Sequence, residues 1–198
     1  MACTGHAHDH EHAEEVSTHL RDLIDFLGVT CLNEAVPGSV KSILKESSAR
    51  LSRYPSLLSP PPEEGDAELL IHVPFTEAVT ITSICIRGPS PGEFSSSSEL
   101  SSACPHHIKI FTNRDDIDFS MAEELPPAMD LELVHPDHEV EGGHQDPGTI
   151  DYVLKNRGKF QSISSITLFV KDNWGMTEAE ENGDDKQYST EVSFNVLC

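Results

Sequence analysis

The sequence predicts an all-β fold, a β-sandwich of the jelly-roll type. Short apolar runs rich in β-branched residues recur along the chain, turn residues separate them, and the chain ends in such a run. Short strands divided by turn residues are typical of sandwiches and barrels, whose strands each bury one or both faces.

The fold is organised around residues 67–89, with the sequence AELLIHVPFTEAVTITSICIRGP. Residues 69–73 and 79–86 are apolar runs, and Pro74 and the polar pair Thr76-Glu77 interrupt the pattern between them. This arrangement predicts two neighbouring strands. Apolar residues on both faces of the second run favour a strand inside a sandwich.

Period-2 alternation predicts most of the other strands. In residues 105–112, Ile108 and Ile110 lie on one face and Lys109 and Phe111 on the other. Further strands are predicted at 131–134 and 187–196, and 149–160 with 162–170 forms a second strand pair. A short helical turn is expected before Gly28, and residues 171–186 are expected to form a polar, acidic loop.

Charge and composition exclude several functional classes. The chain carries 34 acidic and 13 basic residues, a formal net charge of −21, so it would repel nucleic acids and anionic membranes. No apolar run reaches the roughly 18 residues that a membrane span needs, and no secretory signal is evident. The five cysteines include no C-x-x-C pair, which indicates a reducing compartment, the cytoplasm or the nucleus.

Residues 1–15, expected to form a disordered tail, are rich in histidine. His6, His8, His10 and His12 alternate with small or acidic residues, and imidazole is a common ligand of zinc, copper and nickel. The spacing is not that of a closed zinc site. Two interpretations stay open, a flexible tail that takes up metal opportunistically and a tail that delivers or senses metal. No other cofactor is expected.

Two further features have competing interpretations. The acidic run Glu63, Glu64, Asp66 and Glu68 could ligate calcium but lacks the spaced D-x-D-x-D-G pattern, so a solvated charge run is the preferred interpretation. Trp174, the single tryptophan, is either an exposed interaction anchor in a loop or a cap on the core edge. No catalytic motif is present, which predicts a protein that is not an enzyme and has no catalytic residues.

Four blocks carry a family resemblance: DLIDFLGVTCLNE, DAELLIHVPFTEAVTITSICIRGP, PHHIKIFTN and YVLKNRGKFQSISSITLFVKDN. Together they resemble the PITH domain, found at the C-terminus of a thioredoxin-like protein that associates with the proteasome. The resemblance implies a galactose-binding-like β-sandwich and a non-enzymatic role. It also implies a protein partner, the regulatory particle of the 26S proteasome, or a role as a regulatory adaptor. No W-C-x-x-C is present, so reductase activity is not implied.

The resulting organisation is a tail at 1–15 and a PITH-like domain at 20–198. The stretch RLSRYPSLLSPPPEEG is longer than the family's link, which predicts a flexible insertion near 50–65. The C-terminus is expected to be shortened, which would leave an unpaired or frayed edge at the last strand. The alternative functions are metal binding by the tail, an unrecognised enzyme activity and sugar binding.

Overall fold

The computed structural model describes residues 20–49, 51–89, 102–135, 149–155, 157–183 and 187–197. The two described α-helices are α1 (Phe119–Glu124) and α2 (Trp174–Asn182), and neither is long and apolar enough to span a membrane. Short 3-10 turns lie at Leu20–Leu23, Ser39–Ile43, Ser47–Ala49 and Arg157–Phe160. The described strands are β1 (Thr30–Leu32), β2 (Leu57–Leu58), β3 (Leu69–Val79), β4 (Ser83–Arg87), β5 (Ser102–Ala103), β6 (Pro105–Thr112), β7 (Met129–Glu132), β8 (Thr149–Val153), β9 (Ile163–Asn173) and β10 (Ser189–Leu197).

The strands form two sheets, and the predicted all-β sandwich is confirmed. The first sheet has the order β1-β3-β9-β6-β7 and the second the order β2-β10-β4-β8, both antiparallel, while β5 pairs in parallel with β10. The first sheet is built around β9, which pairs with β3 on one side and with β6 on the other.

Two predicted strand pairings are wrong. β3 and β4 follow each other in the chain but lie in different sheets, and the same is true of β8 and β9. A short link can connect strands of one sheet or of two. Pairing here is decided by β9 and β10, which come later in the chain. β3 also continues past Pro74 to Val79, with a register irregularity against β9 where the sequence predicted a break.

The last strand is not an unpaired edge, so that expectation is wrong. β10 pairs with β4 over residues 193–197, with β5 over 189–190 and with β2 over 191–192. Leu44 adds an isolated parallel bridge to Phe194. β10 therefore lies inside the second sheet.

Apolar side chains from the two sheets form the main core. The largest fully buried members include Leu57, Leu69, Ile71, Ile84, Ile108, Ile110, Phe160 and Ile163. A smaller cluster lies on the outer face of the first sheet, where Leu70, Phe111 and Phe169 pack against Ala122 of α1. The two faces predicted for β6 are thus confirmed, because its isoleucines enter the main core and Phe111 enters the smaller cluster.

α2 occupies the segment predicted to be an acidic loop. Asn173 caps the helix, and its side-chain oxygen accepts the Met176 N–H at 3.0 Å. Gly183 ends the helix in the left-handed conformation, at φ 69°. The helix lacks an amphipathic pattern, so only its capping residues Asn173 and Gly183 could have predicted it from the sequence.

The segment expected to be a flexible insertion makes side-chain and backbone contacts with β10. Arg53 pairs with Glu191, Leu57 is fully buried, and the Ser59 N–H donates to the Thr190 carbonyl at 3.0 Å. Lys45 donates to the Ser52 and Arg53 carbonyls from the preceding turn. These contacts define where the segment lies, and its mobility stays a prediction.

Candidate interaction surface

An open groove of about 710 Å³ lies at one end of the sandwich. One wall is the acidic segment that leads into β3, and the other is formed by the end of β9, α2 and the residues before β10. We call this feature the acidic groove. Its lining residues are Pro62, Glu63, Glu64, Gly65, Asp66, Ala67, Glu68, Lys171, Met176, Gln187 and Tyr188.

Asn33 holds the acidic wall in place. It follows β1 and adopts a left-handed backbone, with φ 67°, which asparagine tolerates better than most residues. Its side-chain amide donates to the carbonyl oxygens of Asp66 at 2.9 Å and Glu68 at 2.7 Å. The wall is therefore fixed through its backbone, and the side chains of Glu63, Glu64 and Asp66 remain exposed.

The opposite wall depends on a close approach of Tyr188 to α2. A Cβ added to Gly175 would lie 2.6 Å from Tyr188 Cγ and 2.9 Å from Ala103 Cβ. Only glycine lets the ring pack this closely on the first turn of the helix. The packing brings Tyr188 and Met176 to the same side of the groove, so this wall is partly apolar.

The acidic groove carries an excess of negative charge. Glu63, Glu64 and Asp66 are exposed, and Glu68 is half-buried. Burial raises the pKa of Glu68, the charges of Glu123 and Asp66 raise it further, and Lys171 opposes them. Lys171, the basic side chain among the lining residues, also lies 3.5 Å from Glu123. An incoming positive charge would relieve this repulsion.

Trp174 is the first residue of α2 and is half-buried. Its ring lies between two histidines, with ring-centre distances of 4.1 Å to His106 and 4.8 Å to His135. His106 contacts Thr177 at 3.2 Å, and His135 contacts Glu178 at 2.7 Å. Trp174 thus packs against β6 and the chain after β7, on a helix where a loop was predicted. Its role as an interaction anchor stays a prediction.

The predicted metal ligands His6, His8, His10 and His12 lie outside the described residues, so the zinc, copper or nickel hypothesis stays a prediction. Within the described ranges, no group of three His, Cys, Asp or Glu side chains is placed to hold a metal ion.

Sequence reasoning recognised the acidic run but not the groove. The run was interpreted as a solvated charge patch because nothing local to it suggests a second wall. Met176 and Tyr188, which supply that wall, lie more than a hundred residues further along the chain. The local feature of the sequence that could have indicated a binding surface was the position of the acidic run directly before a buried strand.

Comparisons with known proteins place the chain in one family. The family model described as PITH domain matches residues 10–183. A PITH domain-containing protein of Caenorhabditis elegans is 28% identical over 188 residues, covering 91% of this chain and 78% of that protein. PITH domain-containing protein 1 of Dictyostelium discoideum is 30% identical over 175 residues, covering 87% and 74%. Thioredoxin-like protein 1 of Schizosaccharomyces pombe is 28% identical, covering 80% of this chain and 47% of that protein.

Solved structures similar to this chain include carbohydrate-binding modules. The family 32 module of Clostridium perfringens NanJ, solved in complex with galactose, is 10% identical with a TM-score of 0.47, covering 92% of this chain and all of that one. The C-terminal domain of a Bacteroides fragilis chitobiase is 11% identical with a TM-score of 0.46, covering 92% and 99%.

Proposed function

Because the chain belongs to the PITH domain family, we propose that it is a non-enzymatic protein-interaction module that binds a basic partner through its acidic groove. The acidic groove is the observation that carries this proposal. It is a concave surface with four carboxylate side chains in one wall and an aromatic ring and a thioether in the other. Complementary charge speeds the encounter with a partner and selects against wrong partners, and the aromatic wall adds contact area.

The partner we propose is the regulatory particle of the 26S proteasome. The precedent for this partner is the family's thioredoxin-linked members, and the similarity of this chain to a thioredoxin-like protein supports the proposal. The site of action would be the cytoplasm and the nucleus, reducing compartments that suit a chain whose five cysteines include no C-x-x-C pair. A role as a regulatory adaptor on another protein is the broader form of the same proposal.

The test is a binding assay between the immobilised full chain and purified regulatory particle. We expect capture at about 0.05 M salt and weaker capture at about 0.15 M, because salt screens exposed charges. The variant Glu63→Lys with Glu64→Lys should reduce capture at both salt concentrations. Absence of capture of the particle at both concentrations would refute the proposed partner.

A matched control keeps the change of net charge equal. Glu77 and Asp115 are exposed and lie outside the groove lining. Glu77 lies in the last part of β3 and Asp115 follows β6, both at the end of the first sheet away from the groove. Glu77 is about 30 Å along β3 from Glu68, by strand geometry. The variant Glu77→Lys with Asp115→Lys should bind like the wild type. Equal losses in the two variants would mean that net charge, and not the acidic groove, governs binding.

A further inference from the structure

Exposed apolar side chains mark one lateral edge of the sandwich. Leu32 at the end of β1 is 46% exposed, Val36 in the following loop is 65% exposed, and Leu58 at the end of β2 is 36% exposed. The Ala35 N–H donates to the Leu58 carbonyl at 2.8 Å, which joins the β1 side to the β2 side. We call Leu32, Val36 and Leu58 the apolar edge. The hydrogen bond from Ala35 to Leu58 keeps the loop that carries Val36 close to Leu58, and apolar side chains exposed near one another are typical of an interaction surface.

The apolar edge continues into the acidic groove along two chain segments. Asn33, next to Leu32, donates to the carbonyls of Asp66 and Glu68 in the groove wall. The chain after Leu58 runs through Ser59 and two prolines into Pro62, which lines the groove. A partner segment that leaves the groove along either path therefore meets exposed apolar side chains.

The geometry of the edge favours side-chain docking over strand addition. Among the described strands, β1 pairs only with β3 and β2 pairs only with β10, and the Leu58 carbonyl of β2 already accepts the Ala35 N–H. β1 has three residues and β2 has two. Edge strands this short offer few backbone groups for a further strand, and their contribution to binding would come from their side chains.

Charge complementarity selects the occupant. A second copy of the chain carries the same net charge of −21 and would be repelled, and an anionic partner would be repelled as well. A wholly apolar segment would leave the carboxylates of Glu63, Glu64 and Asp66 uncompensated. A segment with both basic and apolar side chains satisfies both parts of the surface.

We infer that the acidic groove and the apolar edge together dock a lysine- or arginine-rich partner segment whose apolar side chains cover Leu32, Val36 and Leu58. This inference rests on the proposed function and adds the chemistry of the bound segment. The basic side chains enter the groove, and the apolar side chains lie along the edge that joins β1 and β2.

Two synthetic peptides test the inference against the full chain by fluorescence anisotropy. One interleaves lysine with leucine, and the other replaces each leucine with serine at the same charge. We expect the lysine–leucine peptide to bind roughly tenfold more tightly, the effect of about two partly buried apolar side chains. Equal affinity of the two peptides would overturn the inference, because the apolar edge would then contribute nothing.

Variants locate the binding surface. Val36→Ser with Leu58→Ser should remove most of the preference for the lysine–leucine peptide and leave the affinity of the lysine–serine peptide unchanged. The control Val153→Ser changes a valine that is 63% exposed on β8, the opposite edge strand of the second sheet, and should have no effect. Thermal unfolding checks that each variant is folded. An edge variant that keeps the full preference, or a control variant that loses it, would contradict the proposed location.

The same variants separate this inference from the proposed function. If Val36→Ser with Leu58→Ser still captures the regulatory particle at wild-type levels, the inference fails and the proposed function stands. If the peptide preference follows the apolar edge but no regulatory particle is captured, the proposed partner fails and the chemistry of the docking surface stands.

Discussion

The buried ion pair between Arg53 and Glu191 is expected to be a major stabilising contact of the second sheet. The guanidinium donates to both carboxylate oxygens at 2.8 Å, and the Ser102 hydroxyl donates to one of them at 2.7 Å. The side chains of Arg53 and Glu191 are 14% and 5% exposed. Replacing Arg53 with methionine would leave a buried carboxylate without its countercharge.

The size of the effect follows from this burial. Removing one partner of a buried ion pair costs roughly 3–5 kcal/mol, because the remaining charge is uncompensated. A typical domain has a free energy of unfolding of roughly 5–15 kcal/mol, so Arg53→Met should remove a large fraction of the stability of the fold. The double variant Arg53→Met with Glu191→Met removes both charges and should recover a large part of the loss.

Urea unfolding followed by Trp174 fluorescence and by circular dichroism measures these changes. The control is Arg114→Met, which breaks the exposed pair between Arg114 and Asp116 and should have a much smaller effect. A loss of less than about 1 kcal/mol for Arg53→Met, the range of solvent-exposed pairs, would contradict a stabilising role of the buried pair. A double variant less stable than the single one would contradict it as well.

The same pair predicts a pH dependence. Burial alone would raise the pKa of Glu191, but the hydrogen bonds from Arg53 and Ser102 and the charge of Arg53 together lower it below its ordinary value of 4.5. A lowered pKa in the folded state stabilises the protein above the unfolded-state pKa, and this contribution is lost as the pH falls below it. The stability difference between wild type and Arg53→Met should therefore shrink as the pH falls from neutral to below 4.5.

Three further predictions concern separate parts of the chain. Asn173→Ala removes the cap of α2 and the side-chain hydrogen bonds to Tyr188 and Thr190, so it should lower the free energy of unfolding by roughly 2–3 kcal/mol. An unchanged thermal midpoint would contradict this. Burial, followed by the charge of Glu34, raises the pKa of Cys31 to about 12, so little thiolate is present at about pH 8. At that pH iodoacetamide should label Cys31 slowly in the folded chain and rapidly after denaturation. Deleting residues 1–15 should abolish nickel and zinc binding measured by calorimetry without changing the unfolding midpoint, and retained binding would reject the metal-binding tail.

The apolar pattern was sufficient to predict strands, but it could not decide their pairing. The bounds and both faces of β6 were predicted correctly. Ile108 and Ile110, which face the main core, alternate along the strand with Lys109 and Phe111, which face the smaller cluster. The pairing of β3 with β9, and of β4 with β8 and β10, could not be predicted, since each of these partners lies at least sixty residues away. Local sequence carries no record of such distant contacts.

The candidate interaction surface, too, could be predicted from the sequence only in part. The four acidic residues before β3 were visible in the sequence, but the groove also needs Tyr188 packed on Gly175, a contact made only in the folded chain. The exposure of Val36 and Leu58 is likewise a tertiary property, because both resemble core residues in the sequence. The resemblance to the PITH domain identified the family, and the structure supplied the surface.

Hydrogen–deuterium exchange of the full chain, with and without purified regulatory particle, tests whether the acidic groove and the apolar edge bind the partner. We predict slower exchange on binding in residues 62–68 and 187–188, which line the acidic groove, and in residues 32–36 and 58, which carry the apolar edge. We predict no change in residues 74–79 and 113–118, at the other end of the first sheet. Slower exchange confined to that other end, or no change anywhere under conditions of saturating particle, would contradict binding at this surface.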